Sequence, residues 1–167
     1  STGDGAGSID WTYTVSDGVV DYLGAGDSVV QTYTVTVTDD EGTTANQAVT
    51  ITINGTNDVP TIAVAAASSS VTELADGAEG ELTSNLTTTG SIAFADVDLT
   101  DAHAVTVTGG DGTHGALVAS IANVSTGDGA GSIDWTYTVS DGVVDYLGAG
   151  DSVVQTYTVT VTDDEGT

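Results

Sequence analysis

Apolar and polar residues alternate along several segments of this chain. In residues 133–139 every second residue is large and apolar, and the residues between them are Asp or Thr. Residues 153–162 and 49–53 show the same period of two, which places alternate side chains on opposite faces of a β-strand. Shorter segments of the same kind are 61–64, 91–94, 104–108 and 116–122. The pattern predicts about seven strands, each with one apolar face and one face rich in Thr.

Turns rich in Gly and Asp separate these predicted strands, at residues 109–112, 140–142 and 163–166. No segment shows a helical period. Strands with one apolar and one polar face are typical of antiparallel sheets that are buried on one side. We therefore predict an all-β fold, an antiparallel β-sandwich of immunoglobulin-like type.

One block of sequence occurs twice. Residues 1–43 recur without a substitution as residues 125–167, an offset of 124 residues. A repeat of this length is a whole domain rather than one turn of a solenoid. Two identical copies indicate a recent tandem duplication, so we expect a chain of similar domains whose function is reach and spacing.

The boundary between the domains is predicted at residues 55–60, which contain Pro60, the only proline of the chain. Proline fixes its own backbone and disfavours helix before it, so a short, stiff connection is expected. Residues 1–56 would then be the C-terminal half of one repeat, and residues 57–167 the next repeat without its last strand. One hypothesis is that strand 48–53 of one molecule completes residues 57–167 of another. The alternative is that the two parts lie as they would in a continuous array.

The composition narrows the classes of partner. The chain has 25 acidic residues, two His and neither Lys nor Arg, and its formal net charge is -25. Nucleic acids and anionic membranes bind basic protein surfaces, so we expect neither as a partner. Cysteine is absent, and no apolar run is long enough to span a membrane. Because no basic side chain can offset the repulsion between carboxylates, we expect divalent cations to belong to the native structure.

Acidic and amide side chains cluster where predicted strands end. Calcium takes six to eight oxygen ligands and tolerates irregular geometry, so such clusters are candidate calcium sites. One cluster follows the strand at 91–94, one follows the strand that precedes residue 39 and recurs after residue 162, and two residues lie in the linker. The candidate metal ligands are Asp96, Asp98, Asp101, Asn57, Asp58, Glu73, Asp39, Asp40, Glu41, Asp163 and Asp164.

Other chemistry has weaker support in the sequence. His103 and His114 offer a zinc site or a Ser-His-Asp set in principle, but the Gly-x-Ser-x-Gly and His-Glu-x-x-His motifs are absent. We therefore expect no enzymatic activity. Trp135 and Tyr137, together with their copies in the first repeat, are available to stack on a sugar, although their alternation with Asp and Thr favours packing in a core.

Several segments resemble the VCBS-type repeat of bacterial RTX adhesins. They are residues 91–103, which read SIAFADVDLTDAH, residues 134–139, 146–150 and 155–163, and residues 49–58, which read VTITINGTND and precede Pro60. The resemblance covers nearly the whole repeat. It implies a cadherin-like or immunoglobulin-like β-sandwich, repeated many times in a giant secreted protein of the bacterial cell surface.

By similarity with cadherin-type linkers, the resemblance implies calcium at the domain junction. It assigns a calcium role to Asn57 and Asp58, to Asp96, Asp98 and Asp101, to Glu73 and to residues 39–41. The usual cadherin linker has a longer acidic run than this chain. The expected function is a calcium-stabilised structural extender that projects a distal ligand-binding region from the cell. The alternative is an adhesive module that itself binds glycan, protein or ice.

Overall fold

A computed structural model describes residues 5–63 and 67–166. Within these ranges the chain forms eight strands and two single helical turns. The strands are β1 Ser28–Thr38, β2 Thr44–Asn54, β3 Thr61–Ile62, β4 Asn85–Ala95, β5 Ala104–Gly109, β6 Ala116–Asn123, β7 Ala130–Ser140 and β8 Tyr157–Thr162. The turns are a 3-10 turn, Asp17–Val19, and α1, Asp141–Val144.

Residues 61–162 form two sheets. One contains four strands in the order β3-β4-β7-β6, and the other pairs β5 with β8; all the pairings are antiparallel. Phe94 and Ile133 of the first sheet form a buried cluster with Val161 of the second, and Val105 and Val159 pack against it. The predicted all-β, antiparallel sandwich is confirmed.

The first repeat contributes a two-stranded sheet of its own. β1 pairs with β2 over the full length of both strands, from Ser28 opposite Asn54 to Thr38 opposite Thr44. The alternation of Val and Thr along both strands gives this hairpin one apolar face. Tyr33 and Val37 on that face remain exposed.

The two identical copies adopt different structures. Residues 130–140 form β7 between β4 and β6, whereas the matching residues 6–16 form no strand. Residues 28–38 form the whole of β1, whereas in the second copy the strand predicted at 153–162 begins only at Tyr157. The physical reason is that a strand needs a neighbour to satisfy its backbone, and each copy finds different neighbours.

The other strand predictions agree with the structure in position but not always in length. The strand expected at 91–94 begins earlier, at Asn85, because β7 pairs with β4 along all of residues 85–95. The strand expected at 61–64 is β3, which ends at Ile62, and residue 64 lies outside the described residues. The pattern did not predict the single turns at residues 17–19 and 141–144, which are too short to show a helical period.

The duplicated sequence provides a test of this fold with a built-in control. Ile133 is 0% exposed in the core, whereas Ile9, its copy, is 54% exposed. In the monomeric chain we expect Ile133→Ala to lower the free energy of unfolding by about 2–5 kcal/mol, since it leaves a cavity. Ile9→Ala should change it by less than about 0.5 kcal/mol. Urea denaturation of both variants measures the difference, and equal effects would contradict the fold.

Candidate metal site at the junction of the repeats

Three aspartates follow directly after β4. Asp96, Asp98 and Asp101 are all buried, and each offers a carboxylate oxygen that lies within 4.8 Å of the others. The loop turns back on itself because the Asp98 N–H donates to Oδ1 of Asp96 at 3.0 Å. The Asp96 N–H donates to the carbonyl of Gly129 at 3.1 Å, which ties the loop to the start of β7.

A second group of acids joins the first through sheet register. Because Ala104 of β5 lies opposite Thr162 of β8, the residues just before β5 and just after β8 meet. Carboxylate oxygens of Asp101, Asp163 and Glu165 lie within 4.8 Å of one another, so Asp101 belongs to both groups. Asp164 accepts a hydrogen bond from the N–H of Ala102 at 3.0 Å.

The linker between the repeats lies against both groups. Nδ2 of Asn57 donates to Oδ2 of Asp163 at 3.0 Å, and the N–H of Asp58 donates to Oδ2 of Asp98 at 2.6 Å. The structure therefore brings together seven of the predicted ligands. They are Asn57, Asp58, Asp96, Asp98, Asp101, Asp163 and Asp164.

The first repeat closes the site with the loop that precedes β1. The carbonyl of Tyr22 accepts the N–H of Leu99 at 3.3 Å, and Oδ2 of Asp27 accepts the hydroxyl of Thr100 at 2.7 Å. At Gly24 a Cβ would lie 2.8 Å from Oδ1 of Asp101, so the loop approaches the acids more closely than a side chain would allow. The site thus receives contributions from residues 22–27, from residues 57–58 and from residues 96–165.

His103 holds one of the acids in place. Its Nε2 lies 2.8 Å from Oδ2 of Asp96, and its Nδ1 lies 3.2 Å from Oγ of Ser125. This is the Ser-His-Asp order of a hydrolase, but Ser125 is 0% exposed, so a substrate has no access to its hydroxyl. The arrangement orients Asp96, as carboxylate–histidine pairs do beside metal ligands.

Two carboxylate oxygens in this site are buried without a hydrogen bond. Among the described residues, no donor reaches Oδ1 of Asp98 or Oδ2 of Asp101, although these residues are only 0% and 5% exposed. A buried, unpaired carboxylate oxygen is costly. Burial, reinforced by the charges of Glu165 and Asp98, raises the pKa of Asp101 to about 6. Burial and the charge of Asp98 also raise the pKa of Asp58.

The site can hold a metal ion. The candidate ligand atoms of both groups are carboxylate oxygens, and the unpaired ones need a positive partner that no Lys or Arg of this chain supplies. Carboxylate oxygens are ligands of hard divalent cations. Two groups that share Asp101 correspond to one ion or to two adjacent ions.

Four predicted ligands lie elsewhere. Asp39, Asp40 and Glu41 form the exposed turn between β1 and β2, separated from the junction by the 11 residues of β1. That strand spans about 35 Å. Glu73 precedes Leu74, whose N–H donates to Asp141 at the other end of β4 and β7. His114 bonds with Asp111 and Tyr146 in an exposed turn.

The list of predicted ligands missed some members of the site. The predicted metal ligands include Glu41 but not Glu165, which is its copy in the duplicated sequence. No motif in residues 22–27 predicts that this loop lies beside the acids. The sequence offers His103 as a zinc ligand or a catalytic group, whereas the structure places its ring against Asp96. The repeat itself was the available signal, since it shows that residues 163–165 end a strand just as residues 39–41 do.

No protein-family model, curated protein or solved structure matches this chain. Among the described residues, no helix is long and apolar enough to span a membrane.

Asp101 should affect stability with opposite signs in the presence and absence of metal. In EDTA at pH 7, Asp101→Asn removes a buried charge among like charges, so we expect it to stabilise the chain by about 1–3 kcal/mol. With saturating divalent cation the same change removes a ligand, so it should destabilise the chain. Thermal unfolding under both conditions measures the two effects.

The pH dependence in EDTA provides the control. Because the folded pKa of Asp101 lies above its ordinary value of 3.8, the folded state binds this proton more tightly than the unfolded state. The ionised carboxylate of Asp101 therefore destabilises the folded state above about pH 6, and this destabilisation is relieved as the pH falls towards 4. The wild-type chain should therefore gain more stability over this interval than Asp101→Asn. Equal gains would contradict the assigned environment.

Proposed function

We propose that this chain is part of a structural extender, in which calcium stiffens the junction between successive β-sandwich repeats. The observation that carries the proposal is the pair of buried, unpaired oxygens on Asp98 and Asp101, at a point where both repeats and the linker meet. A cation at this point would bridge three parts of the chain that otherwise repel one another.

Calcium suits these ligands better than other common ions do. The candidate oxygens come from separate loops and a partly buried linker, an irregular set that calcium accepts and that magnesium, with its strict octahedral geometry, accepts poorly. Zinc favours nitrogen and sulfur ligands, and the chain has no cysteine. The resemblance of residues 49–58 and 91–103 to the VCBS-type repeat also supports calcium.

Calcium would stiffen the junction because binding is thermodynamically linked to the closed arrangement of the chain. An ion that binds only the closed junction stabilises it by RT ln(1 + [Ca²⁺]/Kd), which is about 2.7 kcal/mol at a hundredfold excess over Kd. Calcium-binding modules of extracellular proteins have Kd values of about 10⁻⁴ to 10⁻³ M, so the junction would be rigid at the calcium level outside cells and loose inside them. This dependence favours an extracellular, cell-surface location.

The duplicated sequence favours a structural extender over a module that binds a ligand. An extender gains length from each identical copy, whereas a module that binds a ligand gains no reach from duplication. Ser125 is buried, so the Ser-His-Asp set does not support an enzymatic function.

The glycine that faces Asp101 should be required for calcium binding. In Gly24→Ala the new Cβ would collide with Oδ1 of Asp101, so we expect calcium affinity to fall about 10–100-fold, the range for groups that orient metal ligands. Gly148→Ala is the matched control, because a Cβ at this copy would contact only Asp151, at 3.3 Å. Calorimetric titration of both variants with calcium measures the difference, and equal affinities would contradict the geometry.

Calcium should also change the shape of the chain. We expect the wild-type chain to have a narrower distribution of shapes in calcium than in EDTA, measured by small-angle X-ray scattering at monomeric concentration. Asp163→Asn with Glu165→Gln should abolish this response. Asp39→Asn with Glu41→Gln is the matched control, since it makes the same two changes in the identical sequence outside the junction.

Three results would contradict the proposed function. They are scattering curves that coincide in calcium and EDTA, a response that survives in the Asp163/Glu165 variant, and a response that is lost equally in the Asp39/Glu41 variant. Native mass spectrometry of the same samples gives the number of ions bound.

A further inference from the structure

The linker follows the only Asn-Gly pair of the chain, Asn54 and Gly55. Asn54 is the last residue of β2, is exposed and lies opposite Ser28 of β1, whereas Gly55 is partly buried. In an Asn-Gly pair the backbone nitrogen of the glycine attacks the side-chain amide more readily than in other pairs, because glycine has no side chain that hinders the approach. Asn54 is therefore the asparagine whose sequence most favours loss of the amide.

The folded chain restrains both groups that would react. The N–H of Gly55 donates to the carbonyl of Asp27 at 3.0 Å, which continues the pairing of β1 and β2 beyond Asn54. Ring closure requires this nitrogen to lose its proton and to turn towards the side chain of Asn54, so the hydrogen bond must break first. The reaction thus requires local opening at this end of the hairpin.

Gly55 is also enclosed by the loop at residues 22–27. A Cβ at Gly55 would overlap the carbonyl oxygens of Leu23 and Gly24, so the backbone of the linker lies directly against this loop. The residues that follow contact the metal site, Asn57 at Asp163 and Asp58 at Asp98. A change in the backbone at Asn54 and Gly55 would therefore move the linker away from the loop and shift it relative to the acids.

We propose that Asn54 is a site of spontaneous deamidation. The closed arrangement, in which Gly55 contacts the loop at residues 22–27, suppresses the reaction, and the isoaspartyl product prevents this arrangement from forming again.

The reaction consumes only water. The nitrogen of Gly55 loses its proton to hydroxide and bonds to Cγ of Asn54, and the amide leaves as ammonia after it takes a proton from water, which regenerates hydroxide. Water then opens the cyclic imide. Cleavage of the new bond to Cγ gives aspartate, and cleavage of the original bond to the backbone carbonyl carbon of residue 54 gives isoaspartate.

The two products differ in their backbones. Both add a negative charge to a chain whose formal net charge is already -25. Isoaspartate also directs the backbone through the former side chain of residue 54, which lengthens it by a methylene group. Because the space at Gly55 does not admit even a Cβ, the longer backbone cannot keep both the contact with Leu23 and Gly24 and the hydrogen bond to Asp27. Isoaspartate does not return to asparagine, so a junction that has reacted stays open.

The control of this reaction by calcium rests on the proposed function. If calcium holds the junction closed, it lowers the population of the open state from which Asn54 reacts. The amide would then be lost slowly where calcium is abundant and faster where calcium is removed. The protection that the hydrogen bond to Asp27 provides does not depend on calcium, so the two claims are tested separately.

The rate of amide loss is measured at mildly alkaline pH by mass spectrometry of peptic peptides, in calcium, in EDTA and in urea that unfolds the chain. We expect Asn54 to react at least about tenfold more slowly in EDTA than in urea, and more slowly again in calcium. Asn85 and Asn123, which precede Leu and Val, are internal controls and should remain intact. The gain in mass is specific to asparagine, because the Asp-Gly pairs of the chain isomerise without a change in mass.

The structural consequence is tested on the isolated isoaspartyl product. Asn54→Asp is the matched control, because it carries the same added charge on a normal backbone. We expect hydrogen exchange of residues 22–27 to be faster in the isoaspartyl product than in Asn54→Asp, in calcium and in EDTA alike. The calcium affinity of the product should be lower than that of Asn54→Asp by at least about tenfold.

Three results would overturn the proposal. They are amide loss at Asn54 that is as fast in EDTA and in calcium as in urea, an Asn54 that reacts no faster than Asn85 and Asn123 in urea, and equal hydrogen exchange in the isoaspartyl product and Asn54→Asp. Equal rates in calcium and EDTA, both far below the rate in urea, would support protection by the closed arrangement and contradict the role of calcium in the proposed function.

Discussion

Buried carboxylates in a chain without Lys or Arg impose the main constraint on this structure. Asp96, Asp98 and Asp101 are buried together, and the whole chain contains no Lys or Arg to offset them. Their positions are fixed by backbone N–H groups, by His103 and by the loop around Gly24. The fold collects negative charge at one point and leaves two oxygens without a donor in the part of the chain that the structure describes, which is the electrostatic condition of a cation site.

The location of this charge connects the site to the architecture. β4 and β8 both end at the junction, and the linker and the loop before β1 close over their ends. The geometry of such a site depends on how the loop before β1 and the linker lie relative to the ends of β4 and β8, because each of them contributes residues to it. Under the proposed function, metal binding and the stiffness of the junction would be one property rather than two.

The strand pattern and the acidic clusters could be read from the sequence because both are local. Alternation located β2, β7 and the C-terminal half of β4, and the acids after residues 95 and 162 marked two strand ends that meet. The extent of β4 depended on its pairing with β7, and the start of β8 depended on a neighbour that residues 153–156 do not have. The periodicity of one segment does not show which other strands pair with it, so it predicts neither the length of β4 nor the first residue of β8. The same limit applies to Asp39 and Asp163, which have identical neighbours in sequence and different neighbours in space.

The most direct measurement of the central claim is an anomalous difference map from crystals grown with calcium. The account predicts a peak about 2.3–2.6 Å from Oδ1 of Asp98 and Oδ2 of Asp101, between the linker and the end of β4. A map without a peak there would contradict it.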